Sequence, residues 1–218
     1  MIPDKIVYIA DEVIQSIPLK DNGEKLVNVY DHVLARRAKV RTVESVRLRE
    51  GIVDKLIAAQ NFVPEGYVLF VVDGWRDPEK QGELWQAYRA ELAKRHEDWL
   101  ESEIDAAASK LYSPPGSVMP HATGAAFDIT LLDAGENIVP MGTQINVDAE
   151  STENRTYTRA QNISKEQIAH RNMLIEALGS VGFINYPTEW WHWSSGDQYS
   201  AYIHEQPFAV YGPVKGDS

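Results

Sequence analysis

The chain has 218 residues, with 21 Lys and Arg against 32 Asp and Glu, a formal net charge of −11 and an isoelectric point near 5.0. That balance lacks the basic footprint needed to neutralise nucleic-acid phosphates or to adhere to an anionic membrane, while 44 % hydrophobic and 10 % aromatic residues are enough for a globular core. There is no cysteine, which excludes disulfides, thiolate zinc sites, iron–sulfur clusters and a cysteine nucleophile, so any metal must be held by His, Asp or Glu.

No repeat or low-complexity tract interrupts the chain, and the expectation is one domain spanning 1–218 with a peripheral N-terminal stretch of about 40 residues. Ile6 to Ala10 runs at once into Asp11 and Glu12, unlike a secretory leader, so a cytoplasmic protein is expected. Thr42 is placed to cap a helix whose apolar residues Val43, Val46, Val53, Leu56 and Ile57 recur at three- and four-residue spacing, reaching about Gln60. Pro64-Glu65-Gly66 then turns the chain into Tyr67–Val72, a β-branched and aromatic run. At six residues it suits a buried strand and is far short of the ~20 of a membrane span, so no membrane insertion is expected.

Asp77 before Pro78 caps a second, charged helix expected to run to roughly Leu100. Ser113 to Ser117 forms a rigid loop. In Ala125–Leu132, Phe127, Ile129 and Leu131 alternate with Asp128 and Thr130 in the period of a strand. Thr143 to Asn162 is polar with little periodicity, a long loop of the kind that often carries function. Ser164 and Gln167 make a capping box for a helix with Ile168, Ile175 and Leu178 on one face, closed by Gly179 or Gly182. Gly182–Tyr186 reads as a short strand, followed directly by Pro187 to Trp193. Helices and strands in separate blocks with no linker between them indicate an α+β domain.

Two of the six histidines have neighbours that point to chemistry. His121 and Asp128 are seven apart and would face opposite ways in an unbroken strand, so they converge only if the chain turns at Thr123-Gly124. They read either as a hydrogen-bonded pair at a strand start or as part of a metal site. Glu189 and His192, three apart, meet on one helical turn or across a kinked strand end; Trp190, Trp191 and Trp193 around them either dry the site or form an aromatic core patch. Together, two histidines and one carboxylate are a three-ligand set for catalytic zinc, with one coordination position left for water and a further carboxylate left as general base. Arg76, just past the Tyr67–Val72 run, is either a cation for a developing oxyanion or an exposed arginine paired with Asp77 or Glu79.

These motifs resemble those of the zinc D-Ala-D-Ala dipeptidases of the vancomycin-resistance type, a group related to the DD-carboxypeptidases and the zinc-binding hedgehog domain. His121, Gly124 and Asp128 match the first signature; Glu189, Trp191 and His192 match the second, with the Trp190-Trp191 doublet in its dipeptidase form. Asp73-Gly74-Trp75-Arg76 and Pro140-Met141-Gly142-Thr143 match two further landmarks in the expected order, so the resemblance covers about Arg41 to Tyr202. It implies a hedgehog/DD-peptidase-like antiparallel sheet flanked by helices and one zinc held by His121, Asp128 and His192. It further implies Glu189 as general base, Arg76 as the partner of the scissile carbonyl and a small dipeptide, most simply D-Ala-D-Ala, as substrate. The alternatives it leaves are a carboxypeptidase or amidase for a larger or N-blocked substrate, and a zinc-containing binding module. Three positions depart from the pattern: Met119 stands where many relatives have serine, Thr123 where many have arginine, and Asn146 where the dipeptidases have an aspartate that resembles a receptor for the substrate amine. With Asp73, these are the candidate substrate contacts.

Overall fold

The computed structural model describes residue 2, residues 6–117 and residues 119–215. Five strands form the main sheet: β2 (Arg41–Thr42), β4 (Val68–Asp73), β5 (Ala126–Leu132), β6 (Ile184–Asn185) and β7 (His192–Ser194), in the order β2-β4-β5-β7-β6. Every pairing is antiparallel except β2 with β4, so the expected antiparallel sheet carries one parallel edge strand. A second, two-stranded sheet joins β1 (Leu26–Asn28) to β3 (Arg47–Arg49). The helices are α1 (Glu12–Gln15), α2 (Val33–Arg37), α3 (Glu50–Gln60), α4 (Pro78–Arg95), α5 (Glu101–Ala108), α6 (Lys165–Ser180) and α7 (Gln198–Ile203).

β5 is the axis of the sheet and is buried along its whole length. Its alternation divides two chemistries. Phe127, Ile129 and Leu131 enter the main core with Leu69 and Val71 of β4, Trp193 of β7, Ile52, Val53 and Leu56 of α3, and Leu174 and Leu178 of α6. Asp128 and Thr130 occupy the alternate positions, which face the other side of the sheet. α4 and α5 form a separate small core of Trp85, Leu92, Ile104 and Ala108.

The capping signals hold where they are strongest. Asp77 accepts the Glu79 N–H at 2.9 Å ahead of Pro78, and the Ser164–Gln167 box closes with bonds of 3.2 and 2.9 Å. Two expected helices have different bounds. The one expected from Thr42 begins at Glu50, because residues 41–42 pair with β4 and residues 47–49 with β1, and Val43 and Val46 lie in the turn between these two short strands. The one expected to reach Leu100 stops at Arg95, where His96 leaves helical geometry and its ring stacks on Trp99 at 3.7 Å, and α5 follows as an independent helix.

The first 40 residues, expected at the periphery, supply Val29, Ala35 and Val40 to the main core. Buried Arg49 also ties them down: its guanidinium donates to Asp21 at 2.6 Å and to the carbonyls of Gly212 and Thr123 at 2.9 and 2.8 Å. Burial opposes ionisation of Asp21, but the N–H groups of Gly212 and Gly23 and the Arg49 charge outweigh it and hold the carboxyl below its ordinary value. A carboxylate depressed on folding stabilises the native state above its unfolded pKa and loses that contribution as pH falls. Asp21→Asn is therefore expected to lower the melting temperature at pH 7 and to make little difference near pH 2, as read by thermal melts at both values.

Candidate metal centre

Sheet register brings the site together. Asp73 of β4 pairs with Asp128 of β5, and Asp128 pairs with His192 of β7, so three residues far apart in sequence form one row across the sheet. A register shift between Val71 and Asp73 puts Asp73 rather than Val72 opposite Asp128. His121 comes from outside the sheet, on a 3₁₀ turn, Pro120–Thr123, that ends in Gly124 at φ +70°. A side chain at Gly124 would be strained by that conformation and would put its Cβ 2.2 Å from a Leu26 methyl, so the glycine lets the turn close against β1.

The ligand atoms converge. His121 Nε2 lies 3.1 Å from His192 Nδ1 and 3.5 Å from Asp128 Oδ1, and His192 Nδ1 lies 3.2 Å from the same oxygen. A tetrahedral metal with bonds of about 2.0–2.1 Å has ligand–ligand edges of roughly 3.3–3.4 Å, so the triangle has the dimensions of three corners of such a site. His121 Nδ1–H donates to the Gly74 carbonyl at 2.7 Å, which leaves Nε2 with its lone pair facing the other two ligands. All three residues are buried. Burial works against the charge on Asp128, yet the facing His121 and His192 rings hold its carboxyl far below the ordinary range. An anion and two imidazole nitrogens at these spacings fit a divalent cation by the chemistry of the donor set.

Glu189 stands at the turn before β7 and is buried. Burial, reinforced by the Asp128 charge, pushes its carboxyl well above the usual carboxylate range, while Arg76 pulls the other way. Arg76 is not the exposed arginine of the alternative reading: its side chain is 11 % exposed and is held by Asp73 and by Gln81 Oε1 at 2.6 Å, while its backbone N–H donates to the His121 carbonyl at 3.2 Å. Its charge is felt by His121, Asp128 and Glu189.

Of the four candidate substrate contacts, Asp73, Met119 and Thr123 lie on or beside the elements that carry the ligands, and Asn146 lies apart. Asp73 anchors Arg76 and caps the Gly74 N–H at 2.8 Å. Thr123 uses its hydroxyl within the turn, donating to Pro120 O at 2.5 Å and accepting from Ala125 N at 3.0 Å. Met119 is buried at the start of that turn. Asn146 is exposed at φ +57° and lines a cavity with Tyr112, Asp148 and Arg95.

Two residues that sequence reasoning passed over belong to this site. Burial raises the Tyr112 hydroxyl, opposed by Arg76 and assisted by the charges of Glu189, Asp128 and Asp73, which places it in the field of the same groups. Asn185, fully buried, donates to the Glu189 and His192 carbonyls at 3.0 Å each and accepts from Thr158 Oγ1 at 2.6 Å, fixing the turn that carries Glu189 and His192. Neither carries a periodic or motif signal; both act through neighbours distant in sequence. Asn185→Ala is expected to lower stability by about 1–3 kcal/mol through unpaired buried carbonyls, and to weaken metal binding by about 10–100-fold, as measured by urea unfolding and chelator competition.

Residues 28–211 match the model of the Peptidase_M15 family, described as D-Ala-D-Ala dipeptidase. The chain belongs to this family. Among family relatives, a D-alanyl-D-alanine dipeptidase of Synechocystis sp. is 39 % identical over 109 residues, 44 % of each chain, so this match spans less than half of that relative's length. A D-alanyl-D-alanine dipeptidase of Enterococcus faecium is 29 % identical over 161 residues, 72 % of this chain and 75 % of that one. Of solved structures, VanYB in complex with D-alanine-D-alanine aligns at 18 % identity and a TM-score of 0.43, over 78 % of this chain and 83 % of that one. A Zn(II) complex of a mutant vancomycin-resistance D,D-pentapeptidase VanY aligns at 20 % identity and 0.44, over 78 % and 84 %. Both family signatures, around His121 and around Glu189, lie inside the matched span.

Proposed function

We propose that the chain is a zinc-dependent hydrolase of D-amino-acid dipeptides, with D-Ala-D-Ala as the parent substrate. The observation that carries this is the ligand triangle of His121, Asp128 and His192 with Glu189 and Arg76 beside it, in a chain of the D-Ala-D-Ala dipeptidase family. Zinc held by these ligands supplies a Lewis acid that makes water nucleophilic near neutral pH and polarises the scissile carbonyl. Glu189 takes the proton from the attacking water and returns it to the leaving amine, a role suited to a carboxyl whose proton affinity burial raises. Arg76, held by Asp73 and Gln81, offers its guanidinium to the oxygen on which negative charge develops.

Retention of both base and oxyanion partner favours an enzyme over a binding module. The reading also takes the chain as one domain, since one cluster of core residues runs from Val29 to Tyr211. Among the described residues no helix is long and apolar enough to cross a membrane. The acidic charge supports a small dipeptide partner rather than nucleic acid, and a cytoplasmic location is part of the same reading. The test is turnover of D-Ala-D-Ala by metal-loaded protein, its loss on chelation and its return with zinc; absence of turnover in every metal state rejects the reading.

The N-blocked alternative has its own observation in Asn146. A carboxylate facing an ammonium makes a charge-assisted bond, whereas a neutral amide is a weaker acceptor. Asp148 is a poor substitute, because Arg95 lies 3.3 Å from it and the Ser151 N–H and hydroxyl bond it at 2.7 and 2.8 Å. Asn146→Asp is expected to raise the preference for free over N-acetylated dipeptide by about tenfold, measured as the ratio of kcat/KM on both proteins.

A further inference from the structure

The chain from 138 to 148 separates two cavities. Residues 146–148 line the one that also holds Tyr112, while residues 138–145 line another of about 600 Å³. Part of the second is made by the main sheet: Thr130 stands two residues after Asp128 on β5 and so on the same face, and Val72 stands next to Asp73 on β4. The rest is mainly Ile138, Val139, Met141, Ile145 and Trp190, and none of the described residues lining it is charged. Its volume falls within the roughly 300–1,000 Å³ of pockets that hold small molecules.

One polar group in this cavity is unsatisfied. Thr130 is 2 % exposed, and its hydroxyl has no hydrogen-bond partner among the described residues, although leaving a buried hydroxyl unpaired is costly. Ile138, 63 % exposed, carries the apolar lining out to the surface. Thr143, by contrast, is engaged: its hydroxyl accepts the Trp190 indole N–H at 2.9 Å, so a molecule in the cavity would touch both partners of the bond that holds the chain three residues before Asn146.

We propose that this cavity binds a small uncharged molecule, mainly apolar and bearing one hydroxyl or carbonyl that pairs with Thr130, and that its occupant sets the position of the loop carrying Asn146. The ligand is uncharged because no charge in the lining would offset the desolvation of an ion. It carries one polar group because one buried hydroxyl awaits a partner. The effect on the loop follows from place, since residues 143–145 lie between the ligand and Asn146; its effect on selectivity also rests on the hydrolase reading.

The experiment titrates the zinc-loaded protein with para-ethylphenol, ethylbenzene and para-ethylbenzoate by calorimetry. Para-ethylphenol is expected to bind with a Kd of about 1 mM or tighter and about fivefold more tightly than ethylbenzene, the scale of one hydrogen bond, while para-ethylbenzoate should not bind. Thr130→Val should erase the preference for the phenol and Thr130→Ser should keep it; Val72→Phe, which puts a ring into the cavity, should remove binding of both. In spectra of isotope-labelled tryptophan, para-ethylphenol should shift the Trp190 indole N–H signal, assigned by its loss in Trp190→Phe. Saturating para-ethylphenol should also change the ratio of kcat/KM for free over N-acetylated D-Ala-D-Ala by about fivefold. Absence of phenol binding, or a phenol preference that survives Thr130→Val, overturns the site, and tighter binding of para-ethylbenzoate overturns the ligand class. Binding that leaves the Trp190 signal unmoved, or leaves the selectivity of an active enzyme unchanged, overturns the link to the loop. If no dipeptide is hydrolysed, the hydrolase reading fails separately, and the calorimetry and the Trp190 signal still decide the proposal.

Discussion

Glu189→Ala is expected to lower kcat for dipeptide hydrolysis by two orders of magnitude or more while zinc stays bound at one per chain. General acid–base groups contribute about 10²–10⁴-fold, and Glu189 is asked to serve both halves of the reaction, deprotonating water and protonating the leaving amine. The metal should remain because Glu189 lies outside the His121, Asp128 and His192 triangle. A second readout separates this role from a structural one. Burial and the Asp128 charge raise the native pKa of Glu189 above its unfolded value, so native stability is fullest at low pH and declines as pH rises through that raised value. Removing the carboxyl removes the decline. Metal-free Glu189→Ala is therefore expected to gain stability relative to the unmodified protein at pH 8 compared with pH 4, measured as urea midpoints. Full activity in this variant would sink the mechanism.

Asp128→Ala is expected to abolish activity by losing the metal, with zinc affinity falling by at least about two orders of magnitude, since even outer-sphere partners of metal ligands are worth about 10–100-fold. The lost group is the anionic corner of the triangle, and its removal leaves two neutral imidazoles whose ligand nitrogens are 3.1 Å apart. Zinc content after dialysis against a graded chelator separates this variant from Glu189→Ala, which keeps its zinc. Stoichiometric zinc in Asp128→Ala would show that the metal is held elsewhere.

The candidate ligands were legible in the sequence because their residue types are rare in such surroundings: histidine followed by small residues and a glycine turn, and a Glu-Trp-Trp-His run with few other uses. Caps were legible for the same reason. Asp77-Pro78 and the Ser164–Gln167 box act within one turn of chain, and both appear at the expected places. The helix expected from Thr42 fails for the converse reason, because residues 41–42 pair with Phe70 and Val71 of β4, 29 residues downstream, and residues 47–49 pair with β1 upstream, and the spacing of the valines does not show either partner. The break at His96 is similar: charged residues continue the helical composition, and only the packing of α5 on α4 requires the chain to turn.

What the sequence alone determined is the inventory: an acidic, cysteine-free α+β chain, a two-histidine and carboxylate donor set, a spare glutamate and an arginine after a buried strand. Which atoms meet was decided by the tertiary structure. Strand register makes Asp73, Asp128 and His192 one row, and the Gly124 turn swings His121 over its end. Asn185 pins the Glu189 turn from the neighbouring strand, and α4 and α5 face the loop after Asn146 to leave a cavity that Glu189 also lines. The physical reason is range. Caps, turns and periodicity arise from forces acting over one or two turns of chain, whereas a metal site needs lone pairs to converge to within a few tenths of an ångström, and that convergence is set by register and packing among segments up to 71 residues apart.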